Sequence, residues 1–179
     1  ALAHLRGALA DDGGNPDVLE EIEDVFRERA RFDELAAFLE EVIDDRRIRP
    51  HRVRLERELA RLYEHELDDL SQALRALTRA LEVLPEDREL LDEVMRLGLM
   101  EGDLDAVAAI YERVVTVSEN PLLVTYLRLK LGHIYANVLE RPEDARRIYS
   151  AILDAEPGHE EARRRLARLD DASRRGPPA

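Results

Sequence analysis

The chain has 179 residues, of which 45% are hydrophobic and 37% charged, with no cysteine and a formal net charge of −13. Without cysteine there are no disulfides or thiolate metal sites, and no apolar run approaches the roughly 20 residues that a membrane-spanning helix needs. The negative charge disfavours binding to nucleic acid. Abundant Ala, Leu, Glu and Arg predict an almost wholly helical protein.

Two further features of the composition bear on source and location. Lys130 is the only lysine among 27 basic residues, a bias typical of a GC-rich genome, which favours a bacterial source. The chain begins at Ala1 without methionine, so we expect a section of a longer protein. We expect that protein to be cytoplasmic, and a signal peptide removed before Ala1 is the alternative.

Five prolines recur at nearly equal intervals and predict the organisation of the chain. The intervals are 34, 35, 36 and 36 residues, which is the signal of a repeat array with a turn at each proline. The prolines are Pro16, Pro50, Pro85, Pro121 and Pro157. They predict repeats at 15–49, 50–84, 85–119 and 120–158, after the end of a truncated repeat at 1–14 and before a capping helix at 159–170 and a disordered tail at 171–179.

The first repeat opens with Asn15 as a helix cap and Pro16 at the first helical position. Leu19, Ile22 and Phe26 follow at spacings of three and four, so they predict the buried stripe of a helix. The acidic and glycine-rich stretch 11–17 lacks the glycine and the terminal glutamate of a calcium loop and is predicted to be a capped turn.

The second and third repeats follow the same plan. Leu59-Ala60, Tyr63 and Ala73 mark the second, and Glu101-Gly102-Asp103-Leu104 forms the turn of the third. Gly98 lies inside the first helix of the third repeat, where glycine costs about 1 kcal/mol relative to alanine. We therefore expect that helix to be kinked or shortened.

The fourth repeat contains the most informative stretch of the sequence. A Leu131-Gly132 pair is followed by Tyr135, then by Ala145, Tyr149, Ile152 and finally Pro157. This order resembles the signature of the tetratricopeptide repeat (TPR), with one extra residue between Gly132 and Ala145. Gly132 stands where a neighbouring side chain must approach closely, so we interpret Gly132 and Tyr135 as packing residues.

The resemblance to TPR proteins implies an all-α fold, a right-handed α-solenoid of antiparallel helix pairs. In that family the first helix of each pair lines a concave groove. Armadillo or HEAT pairing is the alternative, but its longer period fits the prolines less well.

Alignment of the repeats on Ala60 and Gly132 predicts which side chains would line such a groove. The candidate partner-binding residues are Arg54, Arg57 and Arg61 in the second repeat, Arg96 in the third, and Tyr126, Leu129 and His133 in the fourth. The arginines could cradle acidic side chains or a C-terminal carboxylate of a partner. The interpretation that we slightly favour is that Asp17, Glu20 and Asp24 of the neighbouring acidic helix neutralise them.

The fourth-repeat candidates also leave two interpretations open. Tyr126 beside Leu129 and His133 could anchor a partner, since aromatic residues are favoured at interface hot spots. A neighbouring repeat or the C-terminal helix could instead cover them. Co-chaperone TPR domains hold a carboxylate with Lys and Asn at fixed groove positions. This sequence has Arg57, Arg61, Leu129 and His133 there, so recognition of chaperone tails is disfavoured.

No pattern in the sequence predicts catalysis, a metal or a cofactor. The five histidines are scattered, and neither a zinc-protease motif, a phosphate-binding glycine loop nor a nucleophile elbow occurs. We therefore predict a non-catalytic scaffold that binds another protein or peptide, with an acidic segment as one option for that partner. We expect no nucleic-acid binding and no direct membrane insertion. The alternative is a module that self-associates or packs on another domain of its own polypeptide.

Overall fold

The computed structural model of the chain describes residues 15–175, without the side chains of residues 46–48 and 175. Within that range the chain forms nine α-helices, one 3₁₀ helix and no strand, which confirms the all-helical prediction. The chain divides into two compact units, residues 1–101 (unit 1) and residues 102–179 (unit 2). The predicted end of a truncated repeat at 1–14 lies outside the described residues, as do residues 176–179 of the predicted tail.

Unit 1 is a series of helices in which each packs against the next along the chain. Short turns join them, so neighbours run antiparallel. The helices are α1 (Pro16–Glu28), α2 (Phe32–Ile43), a 3₁₀ helix (Arg46–His51), α3 (Arg52–His65), α4 (Leu70–Val83) and α5 (Arg88–Glu101).

Unit 2 continues the same pattern with four helices. They are α6 (Leu104–Val117), α7 (Pro121–Asn137), α8 (Pro142–Ala155) and α9 (Glu160–Arg175). Helix α7 packs on both α6 and α8, and α9 packs on α8. In both units the main contacts therefore join helices that are consecutive along the chain, which is the arrangement of an α-solenoid.

All five regularly spaced prolines lie within three residues of the start of an α-helix, as expected if each marks a turn between helices. Pro16 and Pro121 occupy the first turns of α1 and α7, where the missing N–H costs no hydrogen bond. Pro50 lies inside the 3₁₀ helix that precedes α3. Pro85 and Pro157 lie in matching turns before α5 and α9.

Polar side chains begin several of these helices by accepting free backbone N–H groups. Oδ1 of Asn120 accepts hydrogen bonds from Leu122 N at 3.1 Å and Leu123 N at 3.3 Å. Oδ1 of Asp69 accepts from Gln72 N at 2.9 Å in the same way. Such caps stabilise a helix by about 1 kcal/mol each, so the helix starts are determined locally.

One left-handed residue follows the first helix of every predicted repeat. These residues are Ala30 (φ 50°), Asp68 (φ 52°), Gly102 (φ 78°) and Glu140 (φ 52°). Only Gly102 adopts this conformation without steric cost. The recurrence is an independent structural sign of a repeat, because the residue types at two of the positions, Ala30 and Glu140, do not favour a left-handed turn.

The turns of the second and fourth predicted repeats are identical in their hydrogen bonds. Asp69 N donates to Tyr63 O at 2.8 Å, and Arg141 N donates to Tyr135 O at 2.7 Å. Ala73 follows Ala60, and Ala145 follows Gly132, by thirteen residues, so one shared turn geometry accommodates the same spacing in both repeats.

At Gly132 the side chain of Tyr149 from α8 packs directly against the backbone of α7. A Cβ at this position would lie 2.5 Å from Cζ of Tyr149 and 2.9 Å from its Oη. Tyr149 is 1% exposed, and Leu131, Ile134 and Tyr135 beside Gly132 are buried as well. The prediction that Gly132 and Tyr135 are packing residues is confirmed.

Two predictions about helix lengths are wrong. Helix α5 runs without interruption through Gly98, which is buried beside Leu97, so packing outweighs the low helix propensity of glycine. Helix α9 continues to Arg175, so the tail predicted to be disordered from residue 171 is helical at 171–175. The reason is Arg146 of α8, whose guanidinium donates to Leu169 O at 2.9 Å and to Oγ of Ser173.

Candidate functional site

The three arginines predicted in the second repeat lie together on one face of α3. Arg54, Arg57 and Arg61 line an open hollow of about 460 Å³ between α3 and the turn that joins α4 to α5. We call it the α3 hollow. Val53 and Leu84 give it an apolar part, and Glu58, Asp87 and Glu89 complete its lining.

Two of these arginines are engaged by carboxylates of neighbouring helices. Arg54 contacts Glu23 of α1 at 3.2 Å. Arg57 contacts Glu93 of α5 at 2.7 Å and Glu89 at 3.1 Å. The local positive charge that the sequence shows is therefore largely neutralised inside unit 1.

The carboxylate supplied by α1 is not one of those predicted. Glu23 lies on the inward face of α1 and is 3% exposed, whereas Asp17, Glu20 and Asp24 are exposed. The interpretation that a carboxylate of α1 neutralises an arginine of α3 is correct for Arg54, but the residues named for it are wrong. The rotation of α1 about its axis relative to α3 determines which glutamate reaches Arg54.

Arg61 and Arg96 differ in how closely they pair with carboxylates. Arg61 is 61% exposed, and its nearest carboxylate is that of Glu58 at 4.0 Å. Arg96 of α5 forms a two-point pair with Glu64 of α3, in which Nη2 lies 2.7 Å from Oε2. This pair lowers the pKa of the Glu64 carboxyl. Arg96 does not line the α3 hollow.

A buried ion network near the α3 hollow escaped the sequence analysis. Glu56 is fully buried, and Nε of Arg79 donates to both of its carboxylate oxygens at 2.9 Å. Burial raises the pKa of Glu56, and the guanidinium of Arg79 opposes that rise. Arg79 also donates to Glu40 at 3.2 Å. The network holds α2, α3 and α4 together, and its only sequence signal is a glutamate beside the inward-facing Leu55.

In unit 2 the predicted residues Tyr126, Leu129 and His133 all lie on α7 but differ in exposure. Tyr126 and Leu129 are half-buried, and Nζ of Lys130 lies 5.4 Å from the centre of the Tyr126 ring. His133 is exposed and lies one turn further along α7. It lines a second hollow, of about 380 Å³, that the sequence analysis missed.

This second hollow lies between the end of α7 and helix α9, and we call it the α7–α9 hollow. Asn137 of α7 lines it beside His133, and α9 contributes Glu161, Arg164, Arg165 and Arg168. The polar face of the predicted capping helix therefore faces His133, across a chain separation of about thirty residues.

Arg165 is held in place, whereas the two arginines that flank it are not. Arg165 donates to Oε1 of Glu161 from Nε at 3.0 Å and from Nη2 at 2.7 Å, and it also hydrogen-bonds the hydroxyl of Tyr149. Arg164 and Arg168 are exposed, and neither has a hydrogen-bond or ion-pair partner among the described residues.

Residues 15–175 contain neither a candidate metal-binding cluster nor a candidate membrane-spanning helix. No cluster of three or more His, Cys, Asp or Glu side chains that could hold a metal ion occurs among the described residues. Over the same residues no helix is both long enough and apolar enough to cross a bilayer.

Comparisons with known proteins add little to this description. No protein-family model and no curated protein matches the chain. Among solved structures, the crystal structure of MamA protein is similar at 16% sequence identity and a TM-score of 0.46, over 87% of this chain and 80% of that one. At that level of similarity the fold is best described from the chain's own helices.

Proposed function

We propose that the chain is a non-catalytic, TPR-like scaffold that binds a partner protein through exposed faces of its helices. The observation that carries this proposal is the α7–α9 hollow, which gathers charged side chains from two helices and leaves two of its arginines without a partner in the described part of the chain. Side chains that neither complete the fold nor neutralise one another are available for intermolecular contacts.

In unit 1 the three arginines predicted from the sequence are not equally available to a partner. Arg54 and Arg57 already bind carboxylates, so a partner would have to displace Glu23, Glu89 or Glu93. Arg61 beside the half-exposed Leu84 is the best candidate in the α3 hollow, because its guanidinium is the most exposed of the three arginines.

A peptide-display selection tests the scaffold function with the folded full chain as bait. We expect convergent peptides that bind with micromolar dissociation constants, about −8 kcal/mol. Titration calorimetry on the enriched peptides would measure this. The proposal fails if repeated selections yield no convergent peptide, or if the enriched peptides bind an unfolded chain equally well.

Charge reversal in the α3 hollow separates binding from folding. Arg61→Glu should weaken a peptide that uses this hollow while leaving the melting temperature within about 2 °C. Arg57→Glu is a poor probe, because it places a carboxylate against Glu89 and Glu93 and should lower the stability of unit 1. Unchanged affinity of every selected peptide for Arg61→Glu would remove the α3 hollow from the proposal.

Association with a second copy, or with another domain of the same polypeptide, is the second candidate function. Two large apolar residues flank the turn between α6 and α7 and are exposed, Val117 at 62% and Leu122 at 77%. Sedimentation velocity over a wide concentration range tests self-association. A monomer at all concentrations counts against it, and loss of an oligomer in Leu122→Ser would support it.

A further inference from the structure

The α7–α9 hollow has an uncompensated positive charge. Three guanidinium groups line it, from Arg164, Arg165 and Arg168, together with one carboxylate, from Glu161. Glu161 is occupied by Arg165, to which it binds at 2.7 Å. The charges of Arg164 and Arg168 are therefore not compensated by any described residue.

These two arginines stand apart from the other described arginines of unit 2. Each of the others has an interaction partner. A carboxylate is the partner of Arg141, Arg146, Arg147, Arg165 and Arg174, a backbone carbonyl is the partner of Arg128 and Arg163, and Arg113 has an interaction partner as well. Pairing is thus the rule in this unit, and the exceptions occur together in one hollow.

The spacing of the pair suits a single small anion. Arg164 and Arg168 are four residues apart in α9, so they lie on the same face about one helical turn apart, with Cβ atoms roughly 6 Å from each other. Two planar guanidinium groups at that distance can converge on one carboxylate, which each binds in a directional, charge-assisted way.

His133 adds a donor with a defined orientation. Nδ2 of Asn137 lies 2.9 Å from Nδ1 of His133 and donates to His133 O at 3.1 Å. With Nδ1 accepting from the amide of Asn137, the neutral imidazole has its proton on Nε2, where it is an N–H donor. The hollow then presents donors from both helices.

The position of α9 over α7 depends on packing that does not involve the unpaired arginines. Tyr149 fits against Gly132 and hydrogen-bonds Arg165, and Ala162 of α9 is completely buried. Neutral substitutions at Arg164 and Arg168 should therefore leave the hollow intact, which makes them usable probes.

The net negative charge of the chain belongs almost wholly to unit 1, so the negative net charge does not argue against anion binding in the α7–α9 hollow of unit 2. Unit 1 contains 27 acidic and 15 basic residues, a net charge of −12, while unit 2 contains 13 acidic and 12 basic residues, a net charge of −1. The expectation that this protein repels anions thus applies chiefly to unit 1.

We propose that the α7–α9 hollow binds the carboxylate of an aspartate or glutamate side chain from a partner protein, held by Arg164 and Arg168 with His133 as an additional donor. This inference rests on the proposed scaffold function and names the chemistry of the partner. A nucleic acid fits less well, because a phosphate backbone needs an extended basic track. Here two unpaired arginines occupy a hollow of about 380 Å³.

Fluorescence anisotropy with the full chain tests the inference directly. The probes are a labelled oligo-glutamate peptide, an oligo-glutamine peptide of the same length and an oligothymidylate of the same length. We expect saturable binding of oligo-glutamate only, weakened about tenfold or more in Arg164→Gln/Arg168→Gln. The matched control is Arg75→Gln/Arg174→Gln, which removes two exposed charges outside the hollow and should change binding less than about twofold.

Each other outcome overturns the inference. Absence of saturable binding to oligo-glutamate, equal weakening in the control variant, or tighter binding of oligothymidylate would each do so. In the unmodified chain, oligo-glutamate should also shift the ring proton resonances of His133, and unchanged resonances would contradict the assignment. If display selection yields peptides without acidic residues that bind Arg164→Gln/Arg168→Gln normally, the scaffold function survives and this inference fails.

Discussion

Substitution of Gly132 by alanine tests the contact on which the packing of α7 against α8 depends. The new Cβ would lie 2.5 Å from Cζ of Tyr149 and 2.9 Å from its Oη, whereas carbon atoms in ordinary contact are roughly 3.5–4.0 Å apart. The Tyr149 ring is 1% exposed, so it cannot move aside without disturbing its neighbours.

The expected loss of stability is the difference between two opposing effects. Inserting a methyl group into a packed core costs about 1–3 kcal/mol, and an overlap of about 1 Å with a ring places this case in the upper half of that range. Alanine in place of glycine stabilises a helix by about 1 kcal/mol. We therefore expect Gly132→Ala to lower the free energy of unfolding by about 1–2 kcal/mol.

Urea denaturation followed by far-ultraviolet circular dichroism measures this change. Gly158→Ala is the matched control, because a Cβ there meets nothing within 4 Å, and its effect should stay within about 0.5 kcal/mol. Repeating Gly132→Ala in a Tyr149→Leu background removes the ring. The substitution should then become neutral or stabilising, by up to about 1 kcal/mol.

The reasoning is refuted if Gly132→Ala alone is as stable as the unmodified chain or more so. It is equally refuted if the substitution has the same effect in both backgrounds, since the cost would then not come from Tyr149.

Three further predictions concern the turns and ion pairs of the two units. Gly102→Ala, at φ 78°, should cost about 1 kcal/mol of unfolding free energy, measured by the same denaturation. Glu56→Gln removes the charge that Arg79 pairs with in a buried site, so it should lower the free energy of unfolding by about 2–4 kcal/mol. A loss of less than about 1 kcal/mol would show that the ion pair is not needed for stability. Because Arg96 lowers the pKa of Glu64 below 4.5, this carboxylate stabilises the fold above pH 4.5 and loses that contribution as the pH falls through the folded-state pKa. Acid titration of stability should therefore be shallower in Glu64→Gln.

Much of the fold could be predicted because its signals are local. Pro16 and Pro121 start helices where the sequence placed them, and Leu19, Ile22 and Phe26 are buried as their spacing predicted. Caps, prolines and a 3.6-residue period act within one or two helical turns, so they do not depend on distant parts of the chain. The repeat boundaries themselves stay predictions.

The charged surfaces could be predicted only in outline. One of the two interpretations of the sequence pairs the arginines of the second repeat with Asp17, Glu20 and Asp24 of α1, but the partner of Arg54 is Glu23. One step along a helix rotates a side chain by about 100°. A small change in how α1 rests on α3 therefore selects a different glutamate, and no local signal records that choice.

The sequence by itself determined that this chain is almost wholly helical and that residues such as Leu19, Ile22 and Phe26 are buried, because those properties follow from periodicity and short-range caps. Only the tertiary structure decided which charges are neutralised and which are left available. It neutralised Arg57 and left Arg164 and Arg168 beside His133, residues that are distant along the chain. The physical reason is that ion pairing needs a separation of about 4 Å or less, and distances of that order between different helices are set by the packing of their buried faces.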